Sequence, residues 1–182
     1  TLRMTLSYFV VFVMSACLLG FSLWIESNNR FYEESIKERL YSIAAIEKID
    51  HGMAKVELSS FRLLQADAEE IKQKDIESLS LNVSKMLEAI SNLDSKSNDL
   101  NRHLMIVLQQ QFGLLMQLTN QYVNFIEQKQ LDNATDLFEK PLGLKAQQYE
   151  VVGLLRQLRE HEIKITEEIQ RKGEEKHSRY IS

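Results

Sequence analysis

The chain has 182 residues, of which 44% are apolar, and a formal net charge of −4. The apolar share suffices for a packed core, which excludes a wholly disordered chain, and the acidic excess gives no electrostatic reason to expect nucleic acid as a partner. One proline, six glycines and one cysteine exclude a turn-rich β-sandwich or barrel, an intrachain disulfide framework and a cysteine-based zinc site. These counts predict an all-α protein built from a few long helices.

The first predicted element is an apolar segment over residues 4–25, which contains no charged residue. At about 1.5 Å per residue, a helix of this length reaches about 33 Å, enough to cross a hydrocarbon core of about 30 Å. We therefore predict a cytoplasmic stub at 1–3, a transmembrane helix at 4–25 and an extracytoplasmic domain at 26–182. This arrangement implies localisation in the cytoplasmic (inner) membrane.

Two other interpretations of this segment stay open. A cleaved signal peptide normally has a shorter apolar region followed by a small-residue cleavage site. Residues 14–17 (MSAC) resemble a lipoprotein processing site, which would attach the chain to lipid through Cys17. Residues after Cys17 stay apolar to Ile25, however, and this favours a span in which Cys17 is a small apolar side chain.

Helical periodicity continues into the rest of the chain. Apolar residues recur there at mostly three- and four-residue steps, as on one face of a helix: Ile36, Leu40, Ile43, Ile46, Met53, Val56 and Leu64. No proline or glycine interrupts residues 24–41, so we expect the first helix to run on from the apolar segment. A first turn is predicted within residues 67–75, with Asp67 or Asp75 as the candidate N-cap.

Two further helices are predicted in the middle of the chain. The second carries apolar residues from Ile76 to Leu93 and stops in a polar cluster at 94–99 (DSKSND), which is typical of a loop. The third carries apolar residues from Leu104 to Ile126 and ends near Lys129 and Gln130; it is apolar over a broad face, as expected for a helix with several packed neighbours.

The fourth predicted helix begins with Asp132 or Asn133 as its N-cap and continues to the end of the chain. Pro141 and Gly143 interrupt it near its start, and we expect a kink or a short break there. Short connections between helices require antiparallel neighbours. The predicted fold is thus all-α, with an N-terminal transmembrane helix that continues into an antiparallel up-down-up-down four-helix bundle. Such a bundle returns the chain to the membrane, so we expect a second span beyond Ser182.

Three features resemble the four-helix-bundle sensor domain of bacterial methyl-accepting chemotaxis proteins and related transmembrane sensor kinases. They are the apolar segment that runs into the first helix, the stripe over residues 36–64 and the stretch 125–158. The resemblance covers residues 4–182. It implies a homodimeric receptor in the bacterial inner membrane that binds a small molecule or a periplasmic binding protein. It also implies that the ligand shifts the last helix relative to the first.

The candidate ligand-binding residues are Arg62, Lys145, Gln148 and Tyr149. Amino-acid receptors of this family use several arginines of the first helix to clamp a ligand carboxylate, since a guanidinium offers paired donors. This chain has only Arg62 in that region. Lys145, Gln148 and Tyr149 follow the Pro141 break on the facing part of the last helix, where they could complete a pocket. The alternative is that Arg62 and Lys145 are solvated surface charges and Tyr149 belongs to the core.

No enzyme is predicted within these residues. The sequence contains no Gly-rich phosphate loop, nucleophile elbow or paired-carboxylate signature, and its four histidines share no helical spacing that would favour a metal site. We expect no cofactor, metal or catalytic residue. Three functions stay open: a chemoreceptor sensor domain, the input domain of a sensor histidine kinase or diguanylate cyclase, and a membrane-anchored structural tether.

Overall fold

The computed structural model describes residues 2–66, 69–94 and 102–181, and their side chains except those at 2–11, 28, 69–71, 94 and 177–181. Nearly all described residues are helical, and none of them forms a strand. The helices are α1 (Leu2–Gln65), α2 (Glu69–Asp94), α3 (Arg102–Glu127), α4 (Leu131–Glu139) and α5 (Leu144–Ile181). The all-α prediction is therefore confirmed.

The predicted transmembrane helix is wrong. Among the residues that the structure describes, no helix contains a stretch that is both long and apolar enough to cross a membrane. Side chains 4–11 lie outside the described ones. The predicted localisation in the inner membrane is contradicted by the same finding.

The chain separates into two compact units. One comprises Thr1–Leu40 with Ile165–Ser182, and the other comprises Tyr41–Lys164. Helices α1 and α5 each contribute residues to both units. In the first unit, the Lys176 ammonium lies 5.3 Å from the ring centre of Tyr32, a cation–π distance, but none of its described side chains is fully buried.

The hydrophobic core lies in the second unit, and all five helices supply buried apolar side chains to it. The predicted stripe of α1 is buried at Ile46, Met53 and Val56, whereas Leu40 is exposed. The stripe thus predicts the core face of α1 only from about residue 45 onward. The first helix is apolar before that point too, but its described side chains there are exposed or half-buried.

The structure corrects the predicted N-caps. Asp75 lies inside α2, which begins at Glu69, so the turn ends earlier than predicted; Asp67 and most of the predicted loop at 94–99 lie outside the described residues. Helix α4 begins at Leu131 after Gln130, whose side chain makes no capping bond. Asp132 therefore lies in the first turn of α4, where its charge favours the helix dipole, and Asn133 follows within the helix.

The end of α3 accounts for the N-cap at Gln130, which lies two residues before Asp132, the first of the predicted caps. The Gln130 N–H donates to the Phe125 carbonyl at 2.8 Å, and the Lys129 N–H donates to the Ile126 carbonyl at 3.0 Å. This pair of bonds is a Schellman motif. Lys129 adopts the left-handed conformation that the motif requires, with φ of 59°, although glycine is the usual residue at that position.

The predicted break near Pro141 is confirmed. Helix α4 ends at Glu139 and α5 begins at Leu144. The Gly143 N–H closes the turn by donating to the Lys140 carbonyl at 2.9 Å, and the Gly143 carbonyl accepts a bond from the Gln147 N–H, in the first turn of α5, at 3.0 Å. A side chain at Gly143 would have its Cβ closer than 3.0 Å to the Leu137 carbonyl oxygen. Glycine is therefore required by this close approach of α4 to the turn.

Candidate functional site

A polar layer, defined here as Ser60, Tyr122 and Gln148, joins α1, α3 and α5 inside the core. The Tyr122 hydroxyl donates to the Ser60 carbonyl at 2.6 Å, and the Gln148 amide Nε2 lies 3.3 Å from Ser60 Oγ. Ser60 Oγ in turn donates to the Val56 carbonyl at 2.8 Å. Because all three side chains are buried, these bonds fix how the three helices meet at this level.

Tyr122 serves this layer as a neutral donor. Its side chain is fully buried, and burial disfavours the phenolate, so the pKa of Tyr122 is raised well above its ordinary value of about 10. Its ring centre also lies 6.0 Å from that of Phe138 on α4, within the range for an aromatic pair. These contacts assign Tyr122 to structure, since a phenol that stays protonated cannot act as a base.

Gln148 has an unusual environment for an amide. It is only 2% exposed, and its Oε1 atom has no hydrogen-bond partner among the described residues. A buried acceptor without a donor costs about 1–3 kcal/mol, so such atoms call for an explanation in terms of water or a ligand. Gln148 thus combines burial, a contact to α1 and an unused acceptor.

A groove of about 380 Å³ lies beside this layer, and we call it the α1–α5 groove. Its lining combines an apolar surface with one acidic and one basic side chain: Ala54, Glu57, Leu58 and Phe61 of α1, Phe138 of α4 and Lys145 of α5. Its volume falls within the roughly 300–1,000 Å³ of small-molecule sites, which are also mostly apolar with a few polar groups. Glu57 and Lys145 provide such groups with opposite charges.

The structure brings three of the four predicted site residues to one segment of α1. Lys145 lines the groove, Gln148 contacts Ser60, and the Tyr149 hydroxyl donates to Glu57 Oε1 at 3.3 Å. Tyr149 is 55% exposed, so the alternative that placed it in the core is wrong. Arg62 is exposed on the last turn of α1 and is not among the residues that line the groove.

Sequence reasoning did not identify Ser60, Tyr122 or Glu57. The presence of a tyrosine on the buried face of α3 implies a partner for its hydroxyl, but that partner lies 62 positions away in the sequence. Gln147 donates to both the carbonyl and the side-chain oxygen of Gln111, at 3.0 and 2.8 Å, so Gln111 also links α3 to α5.

Metal binding finds no geometric support in the part of the chain that the structure describes. No group of three or more His, Cys, Asp or Glu side chains is arranged there to hold a metal ion. Cys17 is free and exposed. The groove and the polar layer are therefore the features that need a functional explanation.

Comparison with known proteins adds no assignment to this geometry. No family model matches the chain, and neither a curated protein nor a solved structure is significantly similar to it. The resemblance to chemoreceptor sensor domains accordingly stays a prediction.

Proposed function

We propose that the chain is the ligand-sensing domain of a signalling protein, organised like the sensor bundles that its sequence resembles. The observation that carries this proposal is that α1 and α5 share the α1–α5 groove, with opposite charges in its lining and the unused acceptor of Gln148 in the core nearby. A sensor needs a site whose occupant touches both of the elements that it moves. This groove has that property.

The proposed fold is an antiparallel four-helix bundle of α1, α2, α3 and α5, with α4 as a short insertion. Contacts between α1 and α5 support the antiparallel order, because Glu57 meets Tyr149 and Glu47 meets Arg159 at 3.6 Å. The residue numbers of the contacting residues rise along one helix as they fall along the other, which is the pattern of an antiparallel pair. Bonds from Tyr122 and Gln147 link α3 to α1 and to α5, and short connections favour the up-down-up-down order.

The lining of the groove favours a small zwitterion or carboxylate with an apolar portion. The Lys145 ammonium would attract a carboxylate, and the Glu57 carboxylate, which already accepts a bond from Tyr149, would attract an ammonium group. Leu58, Phe61 and Phe138 would contact the apolar portion. Such a ligand would bridge α1 and α5 through its two charged ends.

Signalling would follow from the difference in affinity between two arrangements of α1 and α5. A ligand shifts an equilibrium only by the difference in its binding free energy to the two states. A ligand held between Glu57 and Lys145 would favour the arrangement in which the distance between these two side chains matches the length of the ligand. Helices α1 and α5 each contribute residues to both units, and the offset between these two helices is the quantity that such a ligand would change.

A thermal-shift screen of the whole chain with amino acids and small carboxylic acids tests this proposal. At 100 times its Kd a ligand stabilises by about 2.7 kcal/mol, which corresponds to a rise in Tm of about 5–10 °C for a chain of this size. We expect the rise to disappear in Lys145→Ala and to persist in Lys85→Ala, an exposed lysine of α2. The proposal fails if no compound of this class raises Tm, or if Lys145→Ala responds like the wild type.

A further inference from the structure

The α1–α5 groove is poor in hydrogen-bond acceptors. Among the described side chains that line it, Glu57 alone can accept a hydrogen bond, and its Oε1 atom already accepts the Tyr149 hydroxyl. The α1 carbonyls at this level belong to a helix that continues to Gln65, where each carbonyl accepts the N–H four residues further on. A cation in this groove therefore meets one carboxylate and no second side-chain acceptor.

The rest of the lining is apolar and partly aromatic. Besides its two charged members it consists of Ala54, Leu58, Phe61 and Phe138. Phe61 is 48% exposed, and Phe138 is buried. The face of an aromatic ring attracts a cation, and this attraction is the usual basis for recognition of quaternary ammonium groups. The groove thus offers a cation apolar contact, two aromatic side chains and one carboxylate.

A primary and a quaternary ammonium group make different demands on such a lining. A primary ammonium carries three N–H donors, and each donor that leaves water without gaining an acceptor costs free energy. A trimethylammonium group has the same charge but no N–H, and its methyl groups gain from apolar contact. The groove, with its single carboxylate and its two phenylalanines, satisfies the quaternary group better than the primary one.

From this balance we infer that the ligand of the α1–α5 groove is a betaine, which is a carboxylate that carries a quaternary ammonium group. The trimethylammonium group lies against Phe61 and Phe138 beside the Glu57 carboxylate, and the carboxylate of the ligand pairs with Lys145. The inference rests on the proposed sensing function. It narrows the ligand class from zwitterions in general to N-methylated ones.

Isothermal titration calorimetry of the whole chain tests the N-methylation. Glycine, sarcosine, dimethylglycine and glycine betaine share one carboxylate and differ only in the number of methyl groups on nitrogen. We expect the affinity to rise along this series, with glycine betaine binding at least about tenfold more tightly than glycine. The ligands stay at low millimolar concentration, because excluded osmolytes stabilise proteins without a binding site when they are concentrated.

A second pair of ligands repeats the comparison at greater length, namely γ-aminobutyrate and its trimethylated form. If either primary amine binds as tightly as its trimethylated form, the inference is wrong and the proposed function stands. If neither betaine binds, the inference is also wrong. The proposed function fails with it only when the amino acids and carboxylic acids of the thermal-shift screen give no response either.

The ligand tert-butylacetate separates charge from shape, because it is glycine betaine with carbon in place of the quaternary nitrogen. It fills the same volume and keeps the carboxylate but has no positive charge. We expect it to bind at least about tenfold more weakly than glycine betaine. Equal affinities would show that the groove selects an apolar shape, and this result would contradict a cation site at Glu57.

Substitutions in the lining test the contacts themselves. Phe61→Leu keeps apolar contact but removes the ring, and we expect glycine betaine to bind about 3- to 10-fold more weakly. Phe61→Tyr retains the ring and should bind like the wild type. Phe31→Leu is the matched control, because Phe31 is another exposed phenylalanine of α1 and does not line the groove.

Glu57→Gln removes the charge and keeps an oxygen that can accept the Tyr149 hydroxyl. We expect this variant to weaken glycine betaine at least about tenfold and to leave tert-butylacetate unchanged. Circular dichroism melts establish that each variant folds. An affinity for glycine betaine that is unchanged in either Phe61→Leu or Glu57→Gln overturns the inference.

Discussion

Replacement of Tyr122 by Phe should lower the stability of the chain at neutral pH. In strong alkali this difference in stability between the variant and the wild type should disappear. The variant removes one buried hydrogen bond, from the hydroxyl to the Ser60 carbonyl at 2.6 Å, and leaves the ring in place. A bond of this kind contributes about 1 ± 0.5 kcal/mol. For a chain of this size we expect Tm to fall by about 2–4 °C. Tyr149→Phe, on an exposed tyrosine, should cost less than about 0.5 kcal/mol.

The raised pKa of Tyr122 determines how the stability difference between the two proteins changes with pH. Burial raises the folded-state pKa of Tyr122 above the unfolded value of about 10. Above pH 10 the unfolded chain therefore releases this proton while the folded chain retains it, and the stability that the neutral phenol contributes is lost as pH rises. The loss is about 1.4 kcal/mol per pH unit. Phe cannot ionise, so the stability of Tyr122→Phe does not show this decrease with pH.

Urea titrations of both proteins between pH 8 and pH 11 measure the difference directly. The contributions of lysines and other groups are common to the two proteins and cancel in that difference. We expect the wild type to be about 1 kcal/mol more stable up to pH 9 and no more stable than Tyr122→Phe near pH 11. A difference that stays constant over this range would refute the assignment of Tyr122 as a buried, neutral donor.

Three substitutions in turns and helices give further expected outcomes, each measured by urea titration at neutral pH. Gly143→Ala should destabilise by about 1–3 kcal/mol or more, because its Cβ would overlap the Leu137 carbonyl; a neutral result would contradict the close approach. Gly153→Ala, which has open space around it on α5, should instead stabilise by about 0.5–1 kcal/mol. Lys129→Gly should also stabilise, by up to about 1 kcal/mol, since glycine relieves the left-handed strain; a loss of stability would count against the Schellman geometry.

The helices were predictable because they depend on local patterns. Apolar residues at three- and four-residue steps predicted the buried face of α1 at Ile46, Met53 and Val56, and Pro141 predicted the break before α5. The N-caps were not predictable from residue type alone. Asp132 and Asn133 are good caps, but α4 starts before them, directly after the Schellman turn at Lys129. The geometry of this turn depends on backbone hydrogen bonds to Phe125 and Ile126, which residue type alone does not indicate.

The site was predictable only where it follows from the order of the helices. The predicted pairing of the last helix with the first put Lys145, Gln148 and Tyr149 opposite the end of α1, and these three residues contact or share a groove with that region. Arg62 has the expected chemistry but is not among the residues that line the groove. The bond between Tyr122 and Ser60 depends on packing between distant segments, which no local pattern encodes.

The unequal burial of α1 and α5 has a consequence for how their outer parts form. Starting a helix is unfavourable, whereas each added residue costs little once the first turn exists. The packed residues between Tyr41 and Lys164 supply that first turn for both helices, because all the fully buried described side chains belong to that unit. The outer parts then grow by propagation alone. The helical order of the outer parts therefore depends on the core. It should decrease toward the N-terminus of α1 and toward the C-terminus of α5, and hydrogen exchange along the two helices would measure this decrease.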